Sequence, residues 1–325
     1  MACDYGALIY PPRLLEDSDS TGRCMVSTQT ATLAVDYVKT IGVTTNNMGR
    51  GFINPYDVAL SKDGRIFVLN HCDSARRALI RVGIMNWDED YLGEFGNGAG
   101  SGDGQFILPV AMAFDSQERL YITDEQNHRI TIFDLAGNFL SKWGVLGSVD
   151  GELNGPAGIT IDADDNLYVV DQNNNRVQKF TPDGQFLASF GESGEGDGQL
   201  HRPSSVAVDP EGYIYIADWG NERVQVLGPD GSFQFKLRGQ ATLSKWAADF
   251  LNVNPDEKRT REMSNLIPEL PPHINTPYHI SSQTEPYFWG PVSVKLDREG
   301  RLYVTEANRH RVQIYQKSSS AKVTL

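Results

Sequence analysis

Residues 156–176 read PAGITIDADDNLYVVDQNNNR, and their spacing recurs along the chain. Within this stretch Asp162 lies 6 residues after Pro156, Asp171 lies 15 after it and Arg176 lies 20 after it. An acid, a second acid and an arginine stand at the same offsets after three other prolines: Pro109, Pro203 and Pro291. Because three fixed offsets coincide in four places, the sequence predicts a repeat protein.

Each copy has the side-chain pattern of short β-strands. The segment after the proline alternates small and large apolar residues, and the next one, such as residues 167–171, is rich in β-branched and aromatic residues. Asp-Gly pairs such as Asp183-Gly184 indicate hairpin turns, and a fourth strand ends in an aromatic-glycine pair such as Trp143-Gly144. Four short strands in 47 residues are typical of a β-propeller blade.

A fifth copy starts at Pro55, and its spacing locates the irregular segments. It has 7 residues more than the regular 47, which fall in residues 71–78, and the gap before the last copy has 41 more, which fall in residues 240–289. The last copy stops at Tyr315 after its third strand, whereas residues 37–42 have the pattern of the missing fourth strand. We therefore expect residues 37–42 to close the ring and remove an exposed sheet edge.

The repeats resemble the NHL family of β-propellers over roughly residues 37–240 and 290–315. The resemblance rests on the proline-to-aspartate strand, the Leu/Ile-Tyr-Ile/Val-x-Asp strand and the Asn-x-Arg-Val/Ile turn. It implies an all-β fold, a closed propeller of four-stranded blades. Five blades are counted, and because many NHL propellers have six, a degenerate sixth blade in residues 1–36 or 240–289 stays open. The domains are then an N-terminal extension, residues 1–36, and one propeller, residues 37–325.

The insertion at residues 240–289 has helical character. Leu243, Trp246 and Phe250 fall on one helical face, and Asn254-Pro255 reads as the start of a second helix that ends near Leu266. The insertion replaces a connection on the face that also carries the loops between second and third strands. It is therefore a candidate lid over a ligand at the channel mouth, or alternatively a plug or a docking element for a partner.

Composition excludes several classes of protein. With 29 Lys+Arg against 42 Asp+Glu the net charge is −13, which disfavours nucleic-acid binding. No run of about 18 apolar residues predicts a membrane helix. Cys3, Cys24 and Cys72 form no CxxC pair. We expect a soluble cytoplasmic protein with no membrane partner, and a cleaved leader outside this sequence stays open.

Histidines are the candidate metal ligands. His71, His128, His201 and His310 lie on separate blades, so they could converge on one ion. Propeller lyases that hold zinc through histidines of different blades, and similar hydrolases that hold Ca²⁺ in the channel, make Zn²⁺ and Ca²⁺ the metals to consider. The alternative is structural, since a histidine beside the repeated arginine is common in NHL repeats.

The remaining candidates are ligand-binding and catalytic residues. His201, Arg202 and Trp219 depart from the repeat near the channel mouth, and Tyr287 and Trp289 end the insertion. The candidate catalytic residues are Cys72, Asp73 and Glu306. The repeated acids that include Glu306 could form a Ca²⁺-binding ring, but a feature present in every blade more often serves the blade itself.

Two functions follow from this interpretation. The first is a propeller that binds a small or peptide-like ligand beneath the insertion, with metal-assisted lyase or hydrolase chemistry as one form of it. The alternative is a non-catalytic scaffold for protein partners. Whether the protein is an enzyme, and its oligomeric state, are left open by the sequence.

Overall fold

The computed structural model describes residues 39–42, 49–71, 79–96 and 98–317. Its contacts divide the chain into two units, Met1–Thr40 and Ile41–Leu325, and every element below lies in the second. None of the helices in the described ranges combines the length and hydrophobicity that a membrane crossing requires.

Five antiparallel sheets follow one another along the chain, and each one is a propeller blade. Blade 1 consists of β1 (Pro55–Leu60), β2 (Ile66–Asn70), β3 (Arg81–Met85) and β4 (Tyr91–Phe95). Blade 2 consists of β5 (Pro109–Phe114), β6 (Leu120–Asp124), β7 (Arg129–Phe133) and β8 (Phe139–Trp143). Blade 3 consists of β9 (Pro156–Ile161), β10 (Leu167–Asp171), β11 (Arg176–Phe180) and β12 (Phe186–Phe190).

The short parallel pair β13 (Glu192–Ser193) and β14 (Gln199–Leu200) lies in the connection between blades 3 and 4. Blade 4 consists of β15 (Ser205–Val208), β16 (Ile214–Asp218), β17 (Arg223–Leu227) and β18 (Phe233–Leu237). Blade 5 has three strands among the described residues: β19 (Pro291–Leu296), β20 (Arg301–Glu306) and β21 (Arg311–Gln316). The prediction of a five-bladed, all-β propeller is confirmed.

The hairpin turns form as their sequences predict. Gly184 has φ +86°, a conformation that favours glycine, and a Cβ there would lie 2.5 Å from the Trp143 ring of the preceding blade. In blade 4 the Asp209 carboxylate accepts the N–H groups of Glu211 and Tyr213, closing the turn from β15 to β16. These turns start each new strand in register with its neighbour.

The hydrophobic core is divided among the boundaries between blades. One cluster joins blades 1 and 2, a second joins blades 2 and 3, and two more follow in order around the ring. Between blades 2 and 3, for example, Ile130 and Leu153 are fully buried in the same cluster as Phe180. Each such side chain contributes roughly 2 kcal/mol on burial, so adjacent blades stabilise each other.

The boundary between blades 5 and 1 differs from the other four. Val312 and Ile314 on β21 are 52% and 53% exposed, whereas Ile130 and Ile132, at the same positions of β7, are 0% and 3% exposed. In blade 1, strand β1 likewise exposes Val58 and Leu60. The predicted ring-closing segment, residues 37–42, lies partly outside the described residues, and its described part is not a strand, so this closure stays a prediction.

The insertion between blades 4 and 5 is helical, as its pattern predicts. It contains α1 (Lys245–Val253), α2 (Pro255–Met263) and α3 (Pro277–Gln283). Asn254 is the N-cap of α2 and Pro255 its first residue, but the helix ends at Met263, before the predicted Leu266. The apolar face of α1 points away from the blades, and Trp246 on it is 86% exposed.

Candidate ligand-binding channel

The second acid of the repeat holds each blade to the loop that precedes it. In blade 4, Asp218 Oδ1 accepts the His201 N–H at 2.7 Å, and Oδ2 accepts Asn221 Nδ2 at 2.9 Å and Arg223 Nε at 2.7 Å. Burial raises the pKa of Asp218, even though these hydrogen bonds act to lower it. The carboxylate is therefore fully occupied by protein donors.

Blades 3 and 5 repeat this arrangement. Asp171 accepts the Asn154 N–H at 2.7 Å and Arg176 Nε at 2.8 Å. Glu306, a candidate catalytic residue in the sequence, accepts the Trp289 N–H at 3.1 Å and Arg311 Nε at 2.8 Å. These contacts favour the structural role for the repeated acids, because each carboxylate is already bound by several protein donors, among them a positively charged arginine.

The residue before each repeated arginine forms a second link between blades. His128, Asn175 and Glu222 all have φ between 51° and 57°, and each accepts the N–H of the residue before the next blade's proline. His128 Nδ1 accepts from Gly155 at 3.1 Å, which places its proton on Nε2, and Asn175 Oδ1 accepts from Arg202 at 2.7 Å. One of the four candidate metal ligands, His128, thus makes a link between blades.

Glu222 makes the same link in blade 4 with an ionisable side chain. Its Oε2 accepts the Gly290 N–H at 2.5 Å, and the residue is only 3% exposed. Burial, together with the nearby Glu306 carboxylate, raises the pKa of Glu222 to about 7, although the Gly290 N–H acts to lower it.

The other candidate metal ligands lie in different surroundings. The His71 ring meets Tyr56 edge-on at 5.3 Å, and burial lowers its pKa while Glu125 opposes that shift. His310 has φ +52° in the turn between β20 and β21. Across the described ranges, no group of three or more His, Cys, Asp or Glu side chains could hold a metal ion. Cys72 and Asp73 lie outside the described residues, so the metal and catalytic assignments stay predictions.

A pocket of about 720 Å³ lies where the inner strands of all five blades begin. Each blade contributes the residue two positions after its starting proline together with at least one residue near it. The residues that form its wall and rim are Tyr56, Asp57, Val110, Ala111, Glu125, Ala157, Gly158, Ile159, Gln172, Arg202, Ser204, Ser205, Trp219, Val292, Ser293, Lys295, Ala307 and Asn308. This is the mouth of the central channel.

The pocket is lined by positions at which the repeat is not kept. Two residues after the proline, successive blades have Asp57, Ala111, Gly158, Ser205 and Ser293. Directly after the second acid, blades 2 to 5 have Glu125, Gln172, Trp219 and Ala307. Since the backbone is the same in each blade, these differences change the chemistry of the channel and leave its frame intact.

An acid and a base from neighbouring blades face the pocket. Asp57 Oδ2 accepts the Met112 N–H at 2.7 Å. Burial raises the pKa of Asp57, and the positive charge of Lys295 opposes that shift. Neither residue belongs to a sequence motif, so the sequence did not single them out. An alignment of the five copies on their prolines could have found both, because it places them in strands that face the channel.

The rim of blade 4 differs most from the repeat. Blade 3 has Asn154-Gly155 before its proline, whereas blade 4 has His201-Arg202. Arg202 has φ +47°, in a left-handed position that blade 3 fills with Gly155 and blade 1 fills with Asn54 at φ +43°. Its guanidinium lies 5.5 Å from the centroid of the Trp219 ring.

A compensating change in the facing loop makes room for this rim. Blade 3 has Asn173 there, hydrogen-bonded to Asn154 Oδ1 at 3.3 Å, and blade 4 has Gly220. A Cβ on Gly220 would lie 2.6 Å from the His201 carbonyl oxygen and would also collide with the His201 ring. In blade 3 the glycine at this contact is Gly155, which precedes the proline, whereas in blade 4 it is Gly220, in the facing loop.

Of the five predicted ligand-binding residues, Arg202 and Trp219 line the pocket, and His201, Tyr287 and Trp289 do not. The Trp289 ring lies 5.9 Å from Tyr278 of α3, with the Arg309 guanidinium 5.5 Å from its centroid. Tyr287 accepts a hydrogen bond from Arg311 through its carbonyl oxygen. These aromatic residues anchor the end of the insertion to blade 5.

Within the described ranges, the pocket wall includes no residue of the insertion, residues 240–289. The nearest approach is made by α3, which packs against the turn at Trp219–Asn221 on the pocket rim. The predicted lid role therefore stays a prediction, with α3 as the part of the insertion next to the rim.

Comparison with known proteins agrees with this architecture. The streptogramin B lyase structure superposes with a TM-score of 0.52 at 13% identity, covering 87% of this chain and 74% of that chain. The nidogen/laminin complex superposes with a TM-score of 0.50 at 15% identity, covering 81% and 75%. At these identities the similarity establishes the fold alone: the molecule is a β-propeller.

The repeats identify the kind of propeller. The family model of the NHL repeat matches residues 153–180, 200–227 and 288–315. Protein lin-41 of Caenorhabditis elegans is 44% identical over 43 residues, and this match spans 13% of the chain and 4% of that relative. The chain therefore contains NHL repeats, in blades 3, 4 and 5.

Proposed function

We propose that this NHL-repeat propeller binds a small or peptide-like ligand in its channel pocket, against the rim of blade 4. The observation that supports this most directly is the coordinated departure of His201, Arg202, Trp219 and Gly220 from the repeat. Local departures from a consistent pattern are expected at functional sites, because elsewhere they only lower stability.

The pocket has suitable dimensions and chemistry. Its volume of about 720 Å³ falls within the range of small-molecule sites. Its wall is largely apolar, with a few charged groups and one exposed indole, that of Trp219, on which a planar group could stack.

Streptogramin B lyase, a propeller of similar fold, is by its name an enzyme. Metal-assisted lyase or hydrolase chemistry is a finer form of the proposal. His71, His128, His201 and His310 do not form a metal site among the described residues, so we assign no catalytic step to them.

Saturation-transfer NMR with a library of aromatic acids, amides, amines and capped dipeptides tests the proposal. We expect a subset of the library to bind the wild type and to lose binding in Trp219→Ala. Trp87→Ala is the matched control, because Trp87 lies in the hairpin between β3 and β4 and not on the pocket. Hits that survive Trp219→Ala, or a library without hits, would contradict the proposal.

A protein-interaction scaffold is the second candidate. It is supported by the apolar face of α1, where Trp246, Phe250 and Val253 are exposed, and by the fold similarity to the nidogen/laminin complex. The double variant Trp246→Ser/Phe250→Ser separates the two functions, since it should abolish scaffold interactions and leave ligand binding in the channel unchanged.

A further inference from the structure

The ligand chemistry can be narrowed, on the assumption that the proposed function holds. We propose that the ligand carries a carboxylate, which the Arg202 guanidinium binds, next to a planar apolar group that stacks on Trp219. In a chain with a net charge of −13, Arg202 occupies a left-handed backbone position that blades 3 and 5 fill with glycine and blade 1 fills with Asn54.

Arg202 differs from the repeated arginines in its contacts. Arg176, Arg223 and Arg311 each donate Nε to a buried carboxylate and other nitrogens to backbone carbonyls. Arg202 makes a backbone hydrogen bond to Asn175, and its guanidinium lies against the Trp219 ring. No carboxylate among the described residues forms an ion pair with it. Arg202 is exposed and lines the pocket, so its N–H donors are available there in the fork geometry that fits a carboxylate in two hydrogen bonds.

The conformation of Arg202 supports a use for the side chain. A non-glycine residue at φ +47° carries backbone strain that its surrounding contacts must offset. Gly155 and Gly290, at the same step of blades 3 and 5, have φ +70° and +69° without that strain. An arginine here is explained by what its guanidinium reaches, since the turn itself is formed more easily by glycine.

Among the described residues that line the pocket, Arg202 is the one cation without a nearby carboxylate. Asp57 and Lys295, on the inner strands of blades 1 and 5, are close enough for their charges to offset each other. Glu125, on the rim of blade 2, lies close enough to His71 for its charge to act on that ring. The rim of blade 4 is thus positive and the rim of blade 2 negative, which orients an anionic group toward Arg202.

Calorimetric titration with three indoles of one shape tests this inference. The probes are indole-3-acetate, indole-3-acetamide and tryptamine, whose side chains are anionic, neutral and cationic. We expect the acetate to bind at least about tenfold more tightly than the amide, and tryptamine to bind most weakly. In Arg202→Met, which keeps the side-chain stem and removes the charge, acetate and amide should bind equally.

Arg298→Met is the matched control, because Arg298 is an exposed arginine in the hairpin between β19 and β20, away from the pocket. It should keep the wild-type preference. Equal binding of acetate and amide to the wild type, with both lost in Trp219→Ala, would overturn the inference and leave the proposed function standing. A preference that survives Arg202→Met would also overturn it. No binding of any probe up to about 10 mM would overturn the inference together with the aromatic ligand class.

Discussion

Blades 3 and 4 use the same backbone and differ in the side chains of one rim. In both, the loop after the second strand donates an N–H to the residue two before the proline that starts the same blade, from Asn173 to Asn154 and from Gly220 to His201. The side chains at this contact differ between the blades. Blade 3 has Asn154 opposite Asn173, whereas blade 4 has His201 opposite Gly220. The residues of the repeat are therefore the same where blades contact each other and different where blades face the channel.

The largest loss of stability should come from removing the second acid of a repeat, which holds its blade to the preceding loop. In Asp218→Ala, the buried Arg223 and the His201 N–H lose their acceptor, and the free energy of unfolding should fall by about 3–5 kcal/mol. Urea denaturation measures this. The control is Asp197→Ala, whose exposed ion pair with Lys236 should cost less than about 1 kcal/mol. Equal losses of unfolding free energy in the two variants would contradict the view that Asp218 connects blade 4 to its preceding loop whereas Asp197 is a surface residue.

The second prediction is that stability depends on pH through Glu222, which in blade 4 occupies the position that Asn175 has in blade 3. The pKa of Glu222 is raised from 4.5 to about 7 in the folded protein. The folded state therefore holds this proton more tightly, so its contribution to stability is complete below pH 4.5 and is lost as the pH rises to 7.

Glu222→Gln mimics the protonated side chain and should remove this dependence. Its stability should match that of the wild type near pH 4.5 and exceed it by roughly 2–3 kcal/mol above pH 7. Thermal unfolding across this range measures the difference between the two proteins. A stability difference between the two proteins that does not change with pH would show that Glu222 is ionised in the folded protein throughout this range.

The third prediction restores the side chains of blade 3 in blade 4. Gly220→Asn alone should cost about 1–3 kcal/mol, because its Cβ collides with His201. The double variant His201→Asn/Gly220→Asn should recover most of this loss through the hydrogen bond seen between Asn173 and Asn154. A double-mutant cycle by urea denaturation tests the coupling, and strictly additive losses would contradict it.

The smallest effect should come from removing strain. Arg202→Gly gives the position the residue that blades 3 and 5 have, and should raise the free energy of unfolding by about 0.5–1 kcal/mol. The same variant should lose the preference for indole-3-acetate. A gain in stability together with a loss of binding is the expected sign of a functional residue. An unchanged preference would place the function elsewhere.

Much of the fold followed from the sequence, because blade-forming residues recur at fixed offsets from proline. The same regularity predicted a structural role for the acids, which the contacts of Asp171 and Asp218 agree with. Asp57 and Lys295 were missed since each is the single charged residue at a repeat position that is neutral in the other four blades. Trp289 was expected at the ligand, but packing against Tyr278 and Arg309 takes it to the base of the insertion.

The exposed boundary between blades 5 and 1 has a consequence for how the protein opens. Because core clusters join only adjacent blades, cooperativity passes from neighbour to neighbour, as in a one-dimensional array. Blades 2 to 4 have a packed neighbour on each side, whereas β1 and β21 each present an apolar face to solvent. Local unfolding therefore starts at these two ends, and the blade 4 rim that carries Arg202 is separated from the nearer end by the whole of blade 5.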